Sequence, residues 1–215
     1  MGSWENRDPA ERMARLAVDP TNLNQAILAE GKKVNQPESE HKHNFPTRLL
    51  SEIIIFVALA TALSFVVVYT LPQGGSITAG SMVPIIWLAL RRGPKIGVFA
   101  GAIYGLIQFA ILPYIAPTSW AAIQVLLDYP LAFGVLGLAG FFKQIPLVGS
   151  TLGIIGRFIM HFVAGVFFWA PSSAPGADPY AFSAIYNGSY LIPELAVTGL
   201  IIFFLQRSKV INIYL

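Results

Sequence analysis

From Leu49 onward the chain is a succession of apolar runs, and this constrains its fold more than any other feature. The runs cover about Leu49–Leu71, Ile77–Leu90, Gly97–Ala116, Ala121–Phe142, Leu147–Ala170 and Ser183–Leu205. About 20 apolar residues in a helix are needed to cross a bilayer, and in lipid a spanning segment must satisfy its own backbone groups. Most runs meet that length. The second is short and carries Pro84, so a tilted or broken helix is expected there. The predicted fold is all-α, an integral membrane bundle of six transmembrane helices. Hydrophobic residues make up 55% of the 215 and charged ones only 12%, which excludes an ordinary soluble domain. Thirteen of the charged residues fall in the first 46 positions, which separates a polar tail and linker, 1–46, from a membrane domain, 47–215.

Basic residues give the orientation. His43 and Arg48 precede the first span, Arg91, Arg92 and Lys95 join the second to the third, Lys143 joins the fourth to the fifth, and Arg207 and Lys209 follow the sixth. The other three connections, "LPQGGSITAG", "LPYIAPTSW" and "APSSAPGADPYAF", hold no Lys or Arg. Both termini are therefore expected on the cytoplasmic side. The net charge of +3 follows from this topology, and no nucleic-acid partner is expected. The absence of cysteine excludes disulfides, thiolate catalysis and thiolate-held metals, and no cofactor or metal is called for. In the tail, "DPAE" and "DPTN" each offer an Asp cap followed by Pro, the pattern of a helix start.

Against this background the polar residues at membrane depth stand out. Asp128 in "QVLLDYPLAF" lies nine residues into the fourth span from its outer end near Ser119, roughly 13 Å down at about 1.5 Å per residue. Gln124 is one turn above it and Tyr129 follows it. In the fifth span Gly149, Gly153, Arg157, His161, Gly165 and Trp169 recur every four residues along a slowly rotating stripe. On the sixth, Asn187, Tyr190 and Glu194 share a face. Ionised carboxylates cost several kcal/mol in hydrocarbon unless paired or hydrated, so Asp128 and Glu194 must face the bundle interior or a wet cavity. Arg157 can pair with Glu194 or Asp128, and Arg157 with Glu194 is read as a structural ion pair. An anionic, aromatic-lined pocket open to the outside suits a flat organic cation, which the carboxylate neutralises and the rings stack against.

The residues "PQGGS" at 72–76, "LALRRG" at 88–93, "LLDY" at 126–129, "RFIMHFVAGVFFW" at 157–169 and "YNGSYLIP" at 186–193 resemble, in that order, the thiamine-specific substrate-binding components of energy-coupling factor vitamin transporters, the ThiT or YuaJ type. The resemblance covers most of residues 47 to 207 and leaves out the tail. It implies a six-helix protein of a prokaryotic cell membrane that captures thiamine from outside. Delivery to the cytoplasm would involve toppling in the lipid, with a transmembrane coupling subunit and two ATPase subunits as partners. By matching position it implies a ligand site of Asp128, Tyr129, His161, Trp169 and Asn187, with Tyr190 on the same helix face. Phe182 stands where relatives have a Tyr. Some relatives place a stacking Trp in the first outer loop, where this chain has Gly75 and its neighbours, so stacking is expected to lean on Trp169 with Tyr180 or Tyr186. The family docks on its partner through an Ala-x-x-x-Ala face, and Ala58 and Ala62 have that spacing. Internal helix packing is the alternative for these alanines.

Two other functions fit the same residues. A self-sufficient carrier could pass protons through Asp128, His161, Arg157 and Glu194, and the ligand could be another vitamin or the pyrimidine precursor of thiamine. An intramembrane hydrolase could use His161 as base, but the sequence has no G-x-S-x-G elbow beside its serines.

Overall fold

The computed structural model describes residues 47–208. The two tail helix starts, the linker, His43 and Lys209 lie outside the described residues. The described part contains α1 (Thr47–Ser64), a hairpin of β1 (Val67–Thr70) and β2 (Ser76–Thr78), then α2 (Val83–Arg92) and α3 (Pro94–Ile111). Three long helical rods follow, α4 (Ala121–Phe142), α5 (Pro146–Ser173) and α6 (Pro179–Arg207). Five of these helices, all but α2, are long and apolar enough to cross a membrane.

The first run ends earlier as a helix than its hydropathy predicts. Val66, Val67 and Val68 followed by Tyr69 and Thr70 are β-branched or aromatic, residues that pack well on a pleated strand and lose rotamer freedom in a helix. After them comes a tight turn, with Gln73 at φ 48° and Gly74 at φ 88°, the left-handed region that glycine enters at no steric cost. The strands pair antiparallel, Val67 with Thr78 and Thr70 with Ser76, with an irregularity between Val67 and Tyr69.

Pro84 then sits in the first turn of α2, where a missing N–H breaks no helical bond. The break expected there is therefore a helix start. Ten residues span only about 15 Å, half of a hydrocarbon core. Buried side chains occupy almost every position of α2, from Val83 through Ile85, Ile86 and Leu88 to Leu90. It is the central helix, which explains why its sequence is apolar all round.

Small residues set the distances between the rods. A Cβ on Gly101 would meet the carbonyl of Phe133, and one on Gly105 that of Tyr129, so α3 lies backbone to backbone on α4. Gly149 and Gly153 of α5 bear in the same way on Ala139 and Leu136 of α4. The glycine spacings in both spans are thus packing seams. At one end of the bundle Glu52 accepts from Arg92 at 2.6 and 2.5 Å, with Arg91 at 3.5 Å and Arg48 at 3.8 Å. Lys143 donates to the Arg91 carbonyl at 3.5 Å. This cationic end is the cytoplasmic one by the positive-inside rule.

Candidate functional site

Away from that end, a cavity runs between the hairpin, α3, α4, α5 and α6. Asp128, Tyr129, His161, Trp169 and Asn187 all line it, as do Phe182 and Tyr190. Residues up to 62 positions apart in sequence therefore meet in one place. Asp128 and Tyr129 lie on a π-helical turn, Leu127–Leu131, and Trp169 ends another, Gly165–Trp169. Such turns break the regular ladder and re-aim side chains, and they recur at functional sites.

Asp128 is the hub and is only 9% exposed. Its Oδ1 lies 2.8 Å from Nδ1 of His161. Its Oδ2 accepts from Nε2 of Gln124 at 2.7 Å and from Nε1 of Trp169 at 2.8 Å. Two N–H donors, from Gln124 and Trp169, and a ring nitrogen of His161 thus converge on one carboxylate. Oδ2 already has two partners and Oδ1 one, so Oδ1 holds the free acceptor capacity. Gln124, fully buried, also donates to the Tyr114 carbonyl at 3.3 Å and accepts from Ala116 N–H at 3.2 Å. The second outer loop is thereby tied to the aspartate.

The remaining residues divide between walls and supports. Both hydrogen-bonding functions of the Tyr129 hydroxyl are committed: it accepts from Tyr114 N–H at 2.7 Å and donates to the Leu112 carbonyl at 3.0 Å. Asn187 donates to the Ser183 carbonyl at 2.9 Å and accepts from the Tyr190 hydroxyl at 3.0 Å. Phe182 stacks on Tyr186, with centroids 6.0 Å apart and planes at 15°. Tyr186 holds the hairpin turn, accepting from Gly75 N–H at 3.0 Å and donating to the Pro72 carbonyl at 3.1 Å. The ring of Tyr114 lies against Gly74, leaving no room for a Cβ there. Tyr180 is exposed and does not line this cavity.

The ion pair expected between Arg157 and Glu194 is not formed. Glu194 turns to the hairpin and accepts from both the backbone N–H and the hydroxyl of Thr78, the latter at 2.7 Å. Arg157 donates instead to Nε2 of His161 at 3.2 Å and stands over the ring of Phe133, 4.2 Å from its centroid. The reason is topological: β2 brings hydrogen-bond donors to Glu194, and the i,i+4 spacing on α5 brings His161 to Arg157. Oε2 of Glu194 is buried without a hydrogen-bond partner. Glu194→Gln keeps the acceptor that Thr78 uses, so its midpoint of thermal unfolding is expected within a few degrees of wild type. Glu194→Leu strands the Thr78 donors, at about 1–3 kcal/mol, and is expected to unfold measurably earlier in the same thermal scan.

Sequence reasoning missed Tyr114, Phe133, Gln108 and the hairpin residues Gln73 to Ser76 and Thr78 as lining residues. Gln108 carried a signal, a polar side chain one turn from Tyr104 in an apolar span, and it donates to Ser64 at 3.0 Å. Ala58 and Ala62 are exposed on α1, in line with exposed Ile54, while Ile53, Val57 and Ala60 face the core. Internal packing therefore does not explain the alanine pair.

The family model described as thiamine transporter protein (Thia_YuaJ) matches residues 50–213. The chain belongs to the Thia_YuaJ family. It is similar to thiamine transporter ThiT of Bacillus subtilis, 30% identical over 171 residues that cover 71% of this chain and 87% of that one. Thiamine transporter ThiT of Lacticaseibacillus paracasei is 26% identical over 170 residues, 72% of this chain and 84% of the relative. Among solved structures, ThiT from Listeria monocytogenes superposes with a TM-score of 0.64 at 28% identity, covering 77% of this chain and 97% of that one. Membership in Thia_YuaJ makes the chain a multi-pass transport protein of the bacterial cell membrane and not an enzyme.

Proposed function

We propose that this protein captures thiamine from the outer face and holds it in the cavity around Asp128. The observation that carries the reading is the buried carboxylate on which Gln124, Trp169 and His161 converge, with one oxygen still able to accept, in a member of the Thia_YuaJ family. Thiamine is a flat organic cation with hydrogen-bonding edges, and it suits a carboxylate among aromatic walls. Trp169, Tyr190, Tyr186 and Phe182 are the candidate walls, and Asp128 supplies the charge. Phosphorylated forms are disfavoured because the outer loops contain no Lys or Arg to meet them.

Energy for release has to come from elsewhere, since the sequence has no G-x-x-x-x-G-K-[ST] phosphate loop. We infer partnership with a transmembrane coupling subunit and two ATPase subunits of the energy-coupling factor type, with the outward Ala58 and Ala62 of α1 as the docking face. The delivery step is the toppling of the bundle that the family resemblance implies. Uptake of labelled thiamine into proteoliposomes tests this partnership. Accumulation is expected only when the three partner subunits and ATP are present, and Ala58→Trp is expected to lower it while leaving binding intact. Uptake driven by a pH gradient in vesicles holding this polypeptide alone would instead establish the self-sufficient carrier.

A further inference from the structure

We infer that Arg157 is a positioning residue that keeps His161 neutral, with its proton on Nδ1, and so preserves the negative charge of Asp128; the inference rests on the reading of the cavity as a cation site. Arg157 Nε lies 3.2 Å from His161 Nε2, one turn along α5. An arginine side chain has five N–H donors, no acceptor, and keeps its proton in proteins. The ring nitrogen facing it must therefore present a lone pair. A neutral imidazole with a lone pair at Nε2 carries its proton on Nδ1, the atom 2.8 Å from Asp128 Oδ1. His161 then donates to the carboxylate and accepts from the guanidinium, satisfying both ends of the ring.

The other two forms of the ring conflict with these distances. With the proton on Nε2, two donors would face each other at 3.2 Å, and a lone pair would face a carboxylate oxygen. The imidazolium would keep the contact with Asp128 but set N–H against N–H at Arg157, and it would place a second positive charge beside the first. Arg157 itself is held by cation–π attraction over Phe133. Because Asp128 and Arg157 bind different nitrogens of the same ring, the imidazole stands between the two charges. The other groups facing this centre are Gln124 and Trp169 on Asp128 Oδ2 and the Tyr190 ring, edge-on to His161 at 6.2 Å. None of these carries a positive charge, and Glu194, which lines the same cavity, is turned to Thr78. A neutral His161 leaves Asp128 uncancelled for an incoming cation and gives that cation an uncharged ring to lie against.

The test is ¹⁵N NMR of histidine-labelled protein without ligand at neutral pH, with the His161 signals assigned by their loss in His161→Gln. The expected spectrum shows an unprotonated Nε2 and a protonated Nδ1. An imidazolium, or a proton on Nε2, overturns the inference even in a protein that binds thiamine. The expected tautomer in a protein that fails to bind thiamine would overturn the cation-site reading instead. In Arg157→Met a second ring proton is expected to appear at the same pH, with thiamine affinity falling about 10-fold and partial recovery in Arg157→Lys. A folded Arg157→Met protein with an unchanged His161 spectrum and unchanged affinity would refute the role of Arg157, and the wild-type spectrum decides the tautomer if that variant does not fold.

Discussion

Asp128→Asn is expected to weaken thiamine binding by about 3 to 4 kcal/mol, roughly 10²- to 10³-fold in Kd. The size of the effect follows from the donor count. The carboxylate accepts from Gln124 and Trp169 and, with the His161 proton on Nδ1 as inferred above, from His161 as well, and an Asn side chain of the same shape has only one acceptor oxygen. Its NH₂ group must oppose at least one of those donors, so the substitution removes the charge and also breaks the cradle. Asp128→Ala is expected to do the same by leaving three buried donors without their acceptor. Tryptophan fluorescence gives a direct readout, because Trp169 is bonded to this carboxylate. Wild-type protein is expected to show a saturable change with thiamine, and Asp128→Asn none over the same concentration range. Retained affinity in Asp128→Asn would remove the carboxylate from the site.

The second large effect is expected far from the cavity, at Gly137. A Cβ there would overlap the backbone of Gly97 and the amide nitrogen of Val98, so α3 and α4 would have to separate. Overpacking in a well-packed interior costs about 1–3 kcal/mol, occasionally more, and here the obstacle is backbone, which cannot move aside as a side chain can. Gly137→Leu is expected to give little or no monodisperse protein after detergent extraction, and Gly137→Ala a clearly lower midpoint in thermal unfolding. Gly199 is the control. Nothing lies within 4 Å of a Cβ added to it in the middle of α6, so Gly199→Ala is expected to be neutral or to stabilise by up to about 1 kcal/mol. Equal unfolding midpoints for the two alanine variants would contradict the account of the α3–α4 seam.

The fourth span was legible to its ends: hydropathy sets Ala121–Phe142 and the helix has those bounds. Its length matches the bilayer, and Ser119 and Lys143 interrupt the apolar run on either side. Asp128 was legible as the focus for an energetic reason, since a carboxylate in an apolar span must have partners. The identity of those partners came less evenly. The four-residue stripe on α5 placed His161 and Trp169 together on one side, which helical periodicity can reveal. Tyr114 could not be found in that way, because it reaches the cavity from a loop whose path is set by hydrogen bonds to Gln124 and Tyr129.

The hairpin is the clearest divergence. Hydropathy reads Val66 to Tyr69 as a continuation of the first helix because it weighs apolar character and ignores β-branching. The strand pairing in turn delivers Thr78 to Glu194, and that long-range contact defeats the expected pairing with Arg157. The π turns were equally hidden, since an extra residue in a helical turn leaves no periodic signature in so short a stretch.

Calorimetric titration of the purified, ligand-free protein with thiamine, and in parallel with riboflavin, tests the central claim most directly. The account predicts one saturable site for thiamine and none for riboflavin, a vitamin without a cationic ring. A flat thiamine titration alongside tight binding of an uncharged vitamin would contradict it.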